Sequence, residues 1–391
     1  MTPDPERPTG VSRRKFIVST GVVGAAGLAG CSSGGGDGGD GGSDGGDGGS
    51  DGDGSDGGDD SDTSTPMPTD TPDSNTETSE PSSLTADGSS TVFPITNDAS
   101  VLWNGNPPAD DQEYWGPGQY DIDTDHNLAD YWAAKYGFDP TETRSVAPFS
   151  TQIALSHSGT GVEGVINERV DIGDASSTAE SILGEDHEAL DDIVDHVVGV
   201  DGQPIVVSRE IYDAGVTQVT GDELRAIYKQ EITNWSELGG PDKEIYAIGR
   251  AEDSGTDTAF RANLYGDPDA PIEPDTRKGQ NQQVATLVEQ NDNAIAYIAL
   301  AFVEPDGATP PIGLELEGTL YEYGKNLGSK GYPLSRDLHC YTYKGTDKRE
   351  SAFINMLLSG YGQEEFVAPN NYFKLPPKRR EEERGKLADQ V

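Results

Sequence analysis

Three short loops in the sequence are rich in hydroxyl groups and glycine, and each stands directly before a segment with helical spacing of apolar residues. They span residues 87–94, 156–161 and 250–256. A hydroxyl-rich loop that opens a helix presents free N–H groups and the positive end of the helix dipole, which suit an oxyanion. Arg250 in the third loop adds a planar guanidinium for bidentate contact with such an anion. Because Ser, Thr and Asp also cap helices for structural reasons, one loop alone is weak evidence, whereas three loops with one arginine favour an oxyanion site.

The segments around these loops alternate between strand-like and helix-like patterns. Strand-like runs lie at 170–173 and 244–248, and residues 294–303 form a longer apolar run that is typical of a buried strand. A capping-box pattern at 220–223 predicts the start of one helix, and Asn281 stands at the predicted start of another. This alternation predicts an α/β fold.

The same loops resemble the motifs of a known family. The residues that carry the resemblance are Gly88-Ser89-Ser90-Thr91-Val92, Ser158-Gly159-Thr160-Gly161, Val170-Asp171-Ile172-Gly173, the run 224–240, Arg250 with Ser254-Gly255-Thr256, Ala294-Ile295-Ala296-Tyr297 and Tyr332-Pro333-Leu334-Ser335-Arg336. Together they resemble the PstS family, the phosphate-binding proteins of ABC importers, over nearly all of 84–391.

The resemblance implies a fold and a domain organisation. The fold would be α/β, a two-lobe periplasmic binding protein of type II with the ligand cleft between the lobes. Lobe 1 would consist of 84–200 and 333–391, and lobe 2 of 201–332. The lobes of such proteins close around their ligand by a hinge motion.

The resemblance also implies which residues bind phosphate. By position they are Ser90, Thr91, Val92, Ser158, Ser176, Arg250, Ser254, Gly255 and Thr256, with Glu252 holding Arg250 in place. The family's best-studied members carry an Asp where this chain has Ser176, and that carboxylate accepts the proton of phosphate and so rejects sulfate. Other branches carry Ser-Arg there, and Ser177 replaces that arginine. Asp174 is the nearby carboxylate that could act instead, which leaves selectivity between phosphate and sulfate open.

The N-terminal segment 1–31 is predicted to be a twin-arginine lipoprotein signal peptide. Arg13 and Arg14 precede an apolar run that is too short to span a bilayer as a mature helix. The run ends at Leu28-Ala29-Gly30-Cys31, which resembles a lipobox. A lipid on Cys31 would anchor the protein outside the cytoplasm, on the outer face of the cell membrane.

The next segment, 32–83, is predicted to be a disordered tether. It contains fourteen acidic residues and no basic one, and it is rich first in Gly, Asp and Ser and then in Thr and Pro. Such a composition offers no apolar residues to offset the entropy of ordering.

The charge of the whole chain excludes nucleic acid as a partner. The chain carries 27 Lys and Arg against 70 Asp and Glu, a formal net charge of −43, so it has no basic face for phosphodiesters. Residues 84–391 alone hold 54 acids and 23 bases. We interpret this surface as an adaptation to high salt, in a haloarchaeal-like lipoprotein form. The same residues contain a single cysteine, Cys340, which excludes an internal disulfide framework.

The same residues allow other functions to be considered, each of which makes different demands on the sequence. A phosphatase would need Ser156 or Ser158 as nucleophile and His157 as base, but adjacent strand residues point apart and no Gly-x-Ser-x-Gly motif is present. The five histidines show no metal-ligand spacing, so no metal site is predicted. Because the predicted function is binding alone, no cofactor and no catalytic residue are predicted either. The main alternative is a receptor for another tetrahedral oxyanion (molybdate, tungstate or sulfate), and a surface phosphatase and an adhesin are less favoured alternatives. The predicted form is a monomer that meets phosphate, permease subunits and, through Cys31, the membrane.

Two further features have no assigned function in the sequence. The 66 residues between Thr91 and Ser158 include an aromatic insertion within 97–150, which is predicted to pack on lobe 1 rather than act as a lid or partner surface. Asn234-Trp235-Ser236 is a glycosylation sequon, but its residues also belong to the family motif, so packing is favoured over modification.

Overall fold

The computed structural model describes residues 83–252, 254–327 and 331–391. The predicted signal peptide with Cys31 and nearly all of the predicted tether lie outside the described residues.

The described residues form two β-sheets. The strands are β1 Leu84–Gly88, β2 Thr151–Ile153, β3 Ile172–Ala175, β4 Ile193–Asp201, β5 Ile205–Val207, β6 Gln218–Thr220, β7 Tyr246–Arg250, β8 Thr276–Lys278, β9 Ala294–Tyr297, β10 Pro311–Leu316, β11 Thr319–Tyr321 and β12 Arg336–Tyr343. The first sheet has the order β2-β1-β3-β12-β4, and the second has the order β11-β10-β5-β9-β7-β8 with β6 paired to β10.

Helices cover these sheets. They are α1 Phe93–Gly105, α2 Leu128–Ala134, α3 Ser158–Ile166, α4 Ala179–Leu183, α5 Arg209–Asp213, α6 Gly221–Ile227, α7 Gly255–Tyr265, α8 Asn281–Gln290, α9 Lys348–Leu358, α10 Gly360–Gly362 and α11 Pro377–Arg384. Short 3₁₀ turns lie at Pro117–Tyr120, Glu188–Asp192, Trp235–Leu238, Leu300–Phe302 and Ala368–Asn370, and a π turn lies at Gln363–Val367. The molecule is therefore α/β with two lobes, one around each sheet.

The chain passes between the sheets at two places. It leaves the first sheet after β4 and enters the second at β5, and it returns between β11 and β12. The returning strand β12 inserts antiparallel between β3 and β4. This insertion brings Arg336, which is 245 residues from Thr91 in sequence, beside the first loop.

The predicted helix starts agree well with the structure. Thr220 caps α6 by accepting from the N–H of Glu223, whose carboxylate in turn accepts from the N–H of Thr220. Asn281 is the first residue of α8 rather than its cap. The predicted buried strand at 294–303 is too long, since β9 ends at Tyr297 and a 3₁₀ turn follows at Leu300–Phe302.

The aromatic insertion packs onto the first lobe, as predicted. Trp103, Trp115 and Trp132 are buried in the main core cluster. The rings of Trp115 and Tyr361 meet edge to face with centroids 4.9 Å apart, and the indole N–H of Trp103 donates to the carbonyl of Phe149 at 2.8 Å. The contact with Tyr361 joins the insertion to α10 of the C-terminal segment, whereas the hydrogen bond from Trp103 to Phe149 lies within the insertion itself.

Within the described part of the chain, no helix combines the length and the apolar character that crossing a bilayer requires.

Asn234 caps the 3₁₀ turn at Trp235–Leu238, and its side-chain amide donates to Asp242 at 3.0 Å. The sequon asparagine therefore has a packing role.

Candidate oxyanion-binding site

Arg250 lies at the end of β7 and is almost fully buried. Its guanidinium donates to the carbonyls of Lys278 and Gly279 at 3.1 and 2.7 Å and to Asn281 Oδ1 at 2.8 Å. Its Nη2 also reaches across to Ser90 Oγ in the first lobe at 3.2 Å. The predicted central cation therefore stands at the meeting of the two lobes.

A buried asparagine joins Arg250 to the first loop. Asn281, at the first position of α8, donates its side-chain amide to Ser90 Oγ at 3.1 Å and to Thr91 Oγ1 at 3.0 Å. Its backbone N–H points at Ser90 Oγ as well, at 3.2 Å. Sequence analysis treated Asn281 only as a helix start, although an amide at the first turn of a helix is a ready anion donor.

Arg336 is a second buried arginine that sequence analysis did not assign to the site. Its Nε and Nη2 donate hydrogen bonds to Asp201 Oδ2 at 3.0 and 2.7 Å. Nη2 also donates to Thr91 Oγ1 at 3.2 Å. Asp201 Oδ1 accepts from the N–H of Leu300 in the second lobe at 3.0 Å, so this ion pair links both lobes to the first loop. The one signal in the sequence was Arg336 itself, at the end of the last family motif.

The remaining predicted ligands gather on either side of the cleft. Ser158 Oγ accepts from the N–H of Ser176 at 3.1 Å, and Thr256 Oγ1 lies 3.2 Å from Thr91 Oγ1 across the lobes. Ser254 caps α7 by accepting from the N–H of Thr256 at 3.2 Å. We call the set Ser90, Thr91, Ser158, Ser176, Arg250, Ser254, Gly255, Thr256, Asn281 and Arg336 the interlobe cluster.

Gly255 is the point of closest approach between the lobes. A Cβ placed there would lie 2.3 Å from Ser158 Oγ and 2.9 Å from Ser177 Oγ. Because both distances are far inside van der Waals contact, only glycine fits at the start of α7 in this arrangement.

The first correction concerns Val92. Its N–H donates to the carbonyl of Ser89 at 3.1 Å and its side chain is fully buried in the core, so it is not placed as a ligand donor. The N–H of Thr91 likewise points to Ser89 Oγ at 3.2 Å. The backbone N–H groups of Thr91 and Val92 are thus hydrogen-bonded within the turn that opens α1. The groups of this loop that face the cleft are the hydroxyls of Ser90 and Thr91.

The second correction concerns Glu252. Its side chain is 75% exposed, and its Oε1 lies 3.9 Å from Arg277 Nη2 rather than beside Arg250. The backbone of Arg250 is held instead by a buried network. Tyr297 Oη accepts from the N–H of Arg250 at 3.0 Å and donates to Asp257, while Arg277 donates to the carbonyl of Arg250 at 2.9 Å.

The third correction concerns Asp174. Its carboxylate points into the first lobe, where it accepts from Thr96 Oγ1 at 2.7 Å and from the thiol of Cys340 at 3.4 Å. Burial raises its pKa to about 7. The strand alternation of β3 explains this orientation, since Asp174 and Ala175 must face opposite sides of the sheet.

The serine and histidine residues of the alternative hydrolase interpretation have other partners. Ser156 Oγ donates to Asp87 at 2.7 Å, and the ring of His157 lies 3.2 Å from Thr160 Oγ1. Among the described residues, no cluster of three or more His, Cys, Asp or Glu is arranged to hold a metal ion.

Comparison with known proteins finds a matching family model and proteins of similar sequence. The PBP superfamily domain model matches residues 128–360. The phosphate-binding protein PstS of Bacillus subtilis is 33% identical over 224 residues, which are 57% of this chain and 71% of that protein. The phosphate-binding protein PstS of Borreliella burgdorferi is 25% identical over 220 residues, 53% of this chain and 74% of that protein.

A solved structure is similar in fold. It is that of a candidate phosphate ABC transporter substrate-binding protein from Clostridium perfringens with bound phosphate. The TM-score is 0.56 at 22% identity, and the match covers 75% of this chain and 100% of the other.

Proposed function

The chain belongs to the PstS family of phosphate-binding proteins, and we propose that it captures inorganic phosphate between its lobes and delivers it to the permease subunits of a membrane ABC importer. The site residues are the interlobe cluster. Binding alone is proposed, without a catalytic step, a metal or another cofactor.

An excess of hydrogen-bond donors supports this function most directly. Ser90 Oγ faces three N–H donors, from Arg250 Nη2 and from the backbone and side chain of Asn281. A hydroxyl oxygen has only two lone pairs, so it cannot accept from all three at once. Thr91 Oγ1 accepts from Asn281 and Arg336, and these two donors occupy both of its lone pairs. A tetrahedral anion supplies the acceptor oxygens that such a cluster lacks.

The charge of the cluster fits a small anion as well. Two buried guanidiniums reach adjacent residues of the first loop, since Arg250 donates to Ser90 and Arg336 to Thr91, and Asp201 offsets the charge of Arg336. Burial of an anion is costly unless cations and hydrogen bonds compensate it, and arginine provides both in a fixed plane. Molybdate, tungstate and sulfate share the tetrahedral shape and form the alternative ligand class.

The location and the anchor extend the proposal. The protein acts outside the cytoplasm as a monomer, exported through the twin-arginine signal, with a lipid on Cys31 and residues 32–83 as the tether to the membrane. The basic and apolar pattern of 1–31 and the acidic composition of 32–83 support this arrangement. Lobe 1 is proposed at 84–200 and 333–391 and lobe 2 at 201–332, in line with the strands that build each sheet.

Titration calorimetry in about 1 M KCl tests the binding function, with phosphate and then sulfate as ligands. Wild-type protein binds phosphate, and Arg250→Ala weakens binding by about a hundredfold or more, because the guanidinium that remains, Arg336, is already paired with Asp201. Arg250→Lys keeps the positive charge but loses the planar guanidinium that can make two parallel hydrogen bonds. Arg225→Ala, at a partly exposed arginine of the same lobe that pairs with Asp222, is the matched control. Phosphate binding by folded Arg250→Ala at wild-type strength contradicts the proposed site.

The anchor is tested separately by expression in the native or a related host. Wild-type protein fractionates with membranes, and mass spectrometry of its mature N-terminus finds a lipid on Cys31. Cys31→Ala releases the protein or leaves the signal peptide uncleaved. An unmodified Cys31 in membrane-bound wild-type protein contradicts lipid anchoring and leaves the binding function unaffected.

A further inference from the structure

Ser177 carries a buried hydroxyl that has no hydrogen-bond partner within the described part of the chain. The residue is 7% exposed, and its Oγ makes no hydrogen bond to any of the described residues. Its backbone is fixed from behind, because its carbonyl accepts from Tyr341 Oη at 3.3 Å. A buried polar atom left unpaired carries a desolvation cost, so it calls for a partner that is supplied from elsewhere.

The position of Ser177 points to the ligand as that partner. A Cβ on Gly255 would lie 2.9 Å from Ser177 Oγ and 2.3 Å from Ser158 Oγ, so both hydroxyls lie against the start of α7 in the other lobe. Ser177 therefore borders the cleft beside Ser158, which is one of the predicted phosphate-binding residues. It was not among the predicted site residues.

The neighbouring hydroxyls are already fixed as donors. The lone pairs of Ser90 Oγ are taken by N–H groups of Arg250 and Asn281, and those of Thr91 Oγ1 by Asn281 and Arg336. Their own hydrogens must therefore point away, toward an acceptor. Ser158 and Ser254 each already accept from a backbone N–H. In contrast, both lone pairs of Ser177 Oγ are unused.

Phosphate near neutral pH always keeps at least one proton, and that O–H needs an acceptor. Asp174 does not supply one, because its oxygens are engaged by Thr96 and Cys340 inside the first lobe. On the basis of the proposed function, we propose that Ser177 Oγ accepts the hydrogen bond from the protonated oxygen of phosphate. Ser177 is thus a specificity-determining residue of the site.

The use of a hydroxyl has a consequence for the ligand class. A carboxylate can only accept, so it repels an unprotonated sulfate, whereas a serine can turn its hydrogen toward the same oxygen and donate. The site therefore takes tetrahedral oxyanions with or without a proton and separates phosphate from sulfate only weakly.

The test measures phosphate and sulfate affinities of the full protein by calorimetry at about 1 M KCl, for wild type, Ser177→Ala and Ser177→Asp. Wild type binds both anions, with affinities within about a hundredfold of each other. Ser177→Ala weakens phosphate binding by about tenfold, the usual worth of one hydrogen bond to a charged group. Ser177→Asp keeps phosphate within about tenfold and weakens sulfate by about a hundredfold or more. Ser100→Ala removes a buried hydroxyl on α1 that bonds Thr151 and leaves both affinities unchanged.

Three results overturn the inference. These are a Ser177→Ala protein that binds phosphate like wild type, a Ser177→Asp protein that loses both anions equally, and a wild type that binds phosphate and ignores sulfate. The substituted proteins are first checked for a wild-type unfolding midpoint. If wild type binds neither anion, the proposed function itself fails, which is a distinct outcome.

Discussion

Arg336 and Asp201 form the buried ion pair of the site, and each is within 4% of full burial. Removal of one partner from such a pair leaves an uncompensated buried charge, which is far more costly than removal of both. The pair also positions the first loop, because Arg336 donates to Thr91 Oγ1. Its contribution to stability and its contribution to binding can therefore be separated.

We expect Arg336→Ala to lower the free energy of unfolding by about 3 kcal/mol, because Asp201 is left buried and unpaired. The double variant Arg336→Met with Asp201→Asn recovers most of this loss and still binds phosphate more weakly than wild type, since Thr91 has lost a donor. Urea unfolding and calorimetry measure the two effects. A double variant as unstable as Arg336→Ala contradicts the account of the pair.

Asp174 predicts a specific pH dependence of stability. Its pKa lies at about 7 in the folded protein, against an ordinary value of 3.8, because of burial. Between these pH values the folded state binds one more proton than the unfolded state, so the contribution of Asp174 is complete at low pH and is lost as pH rises to about 7. We expect this loss to be on the order of 4 kcal/mol.

Urea unfolding of wild type and Asp174→Asn at about pH 4.5 and pH 7.5 isolates this contribution. The difference in unfolding free energy between the two proteins should change with pH, with the asparagine variant gaining relative stability at the higher pH. The pKa of Glu350, also raised by burial, affects both proteins alike. A difference that is constant across this range shows that Asp174 is not protonated in the fold.

One hydrogen-bond network joins helix α7 to Arg250 at the end of β7. Ser254 caps the helix, and Asp257 in its first turn accepts from Tyr297 and Arg277, which also hold the backbone of Arg250. The start of α7 then presses Gly255 against the first lobe.

Gly255→Ala should therefore separate folding from closure. Alanine favours a helix over glycine by roughly 0.5–1 kcal/mol, so the unfolding free energy should not fall. Phosphate binding should weaken by about ten- to a hundredfold, because the new Cβ meets Ser158 Oγ and keeps the lobes apart. Thermal unfolding and calorimetry measure both, with Gly105→Ala at the end of α1 as the control because its Cβ meets no neighbour. Wild-type affinity in Gly255→Ala contradicts the closed arrangement.

Local signals in the sequence predicted several loops and helix starts, whereas contacts between distant parts of the chain were missed. The third loop, the capping box at Thr220 and the serines near Arg250 are all visible within a few residues of sequence. Arg336 could not be found in the same way, because it reaches Thr91 only through the insertion of β12 between β3 and β4. Glu252 was misassigned for the converse reason: closeness in sequence to Arg250 does not fix the direction of an exposed turn side chain.

The α/β fold class could be predicted from the alternation of strand-like and helix-like segments together with the family motifs. Which strands belong to which sheet could not, because that depends on which strands pair with one another. Strands as short as β5 and β8, with three residues each, give almost no periodicity from which to predict a neighbour. The insertion was easier to interpret, since several large aromatic residues in one segment must be covered in a molecule of this size.

The acidic surface makes the stability of the whole molecule depend on salt. Residues 84–391 carry 54 acids and 23 bases, so the acids outnumber the bases by more than two to one. At about 0.01 M salt the Debye length of about 30 Å spans much of a lobe, whereas at about 1 M it is about 3 Å and neighbouring carboxylates no longer repel. We therefore expect the unfolding temperature to rise by several degrees or more between low and molar KCl.

The shape of this dependence identifies its cause. Screening acts most strongly where the Debye length falls from tens of ångströms to the spacing of surface charges, so the rise should be steep below about 0.5 M KCl and flatten above about 1 M. A general salting-out effect would instead grow steadily with concentration. Calorimetric melting in KCl, with glycerol at equal osmolality as an uncharged control, distinguishes the two. An unfolding temperature that does not change below about 0.5 M would mean that the acids are not repelling one another, and adaptation to salt would lose its physical basis.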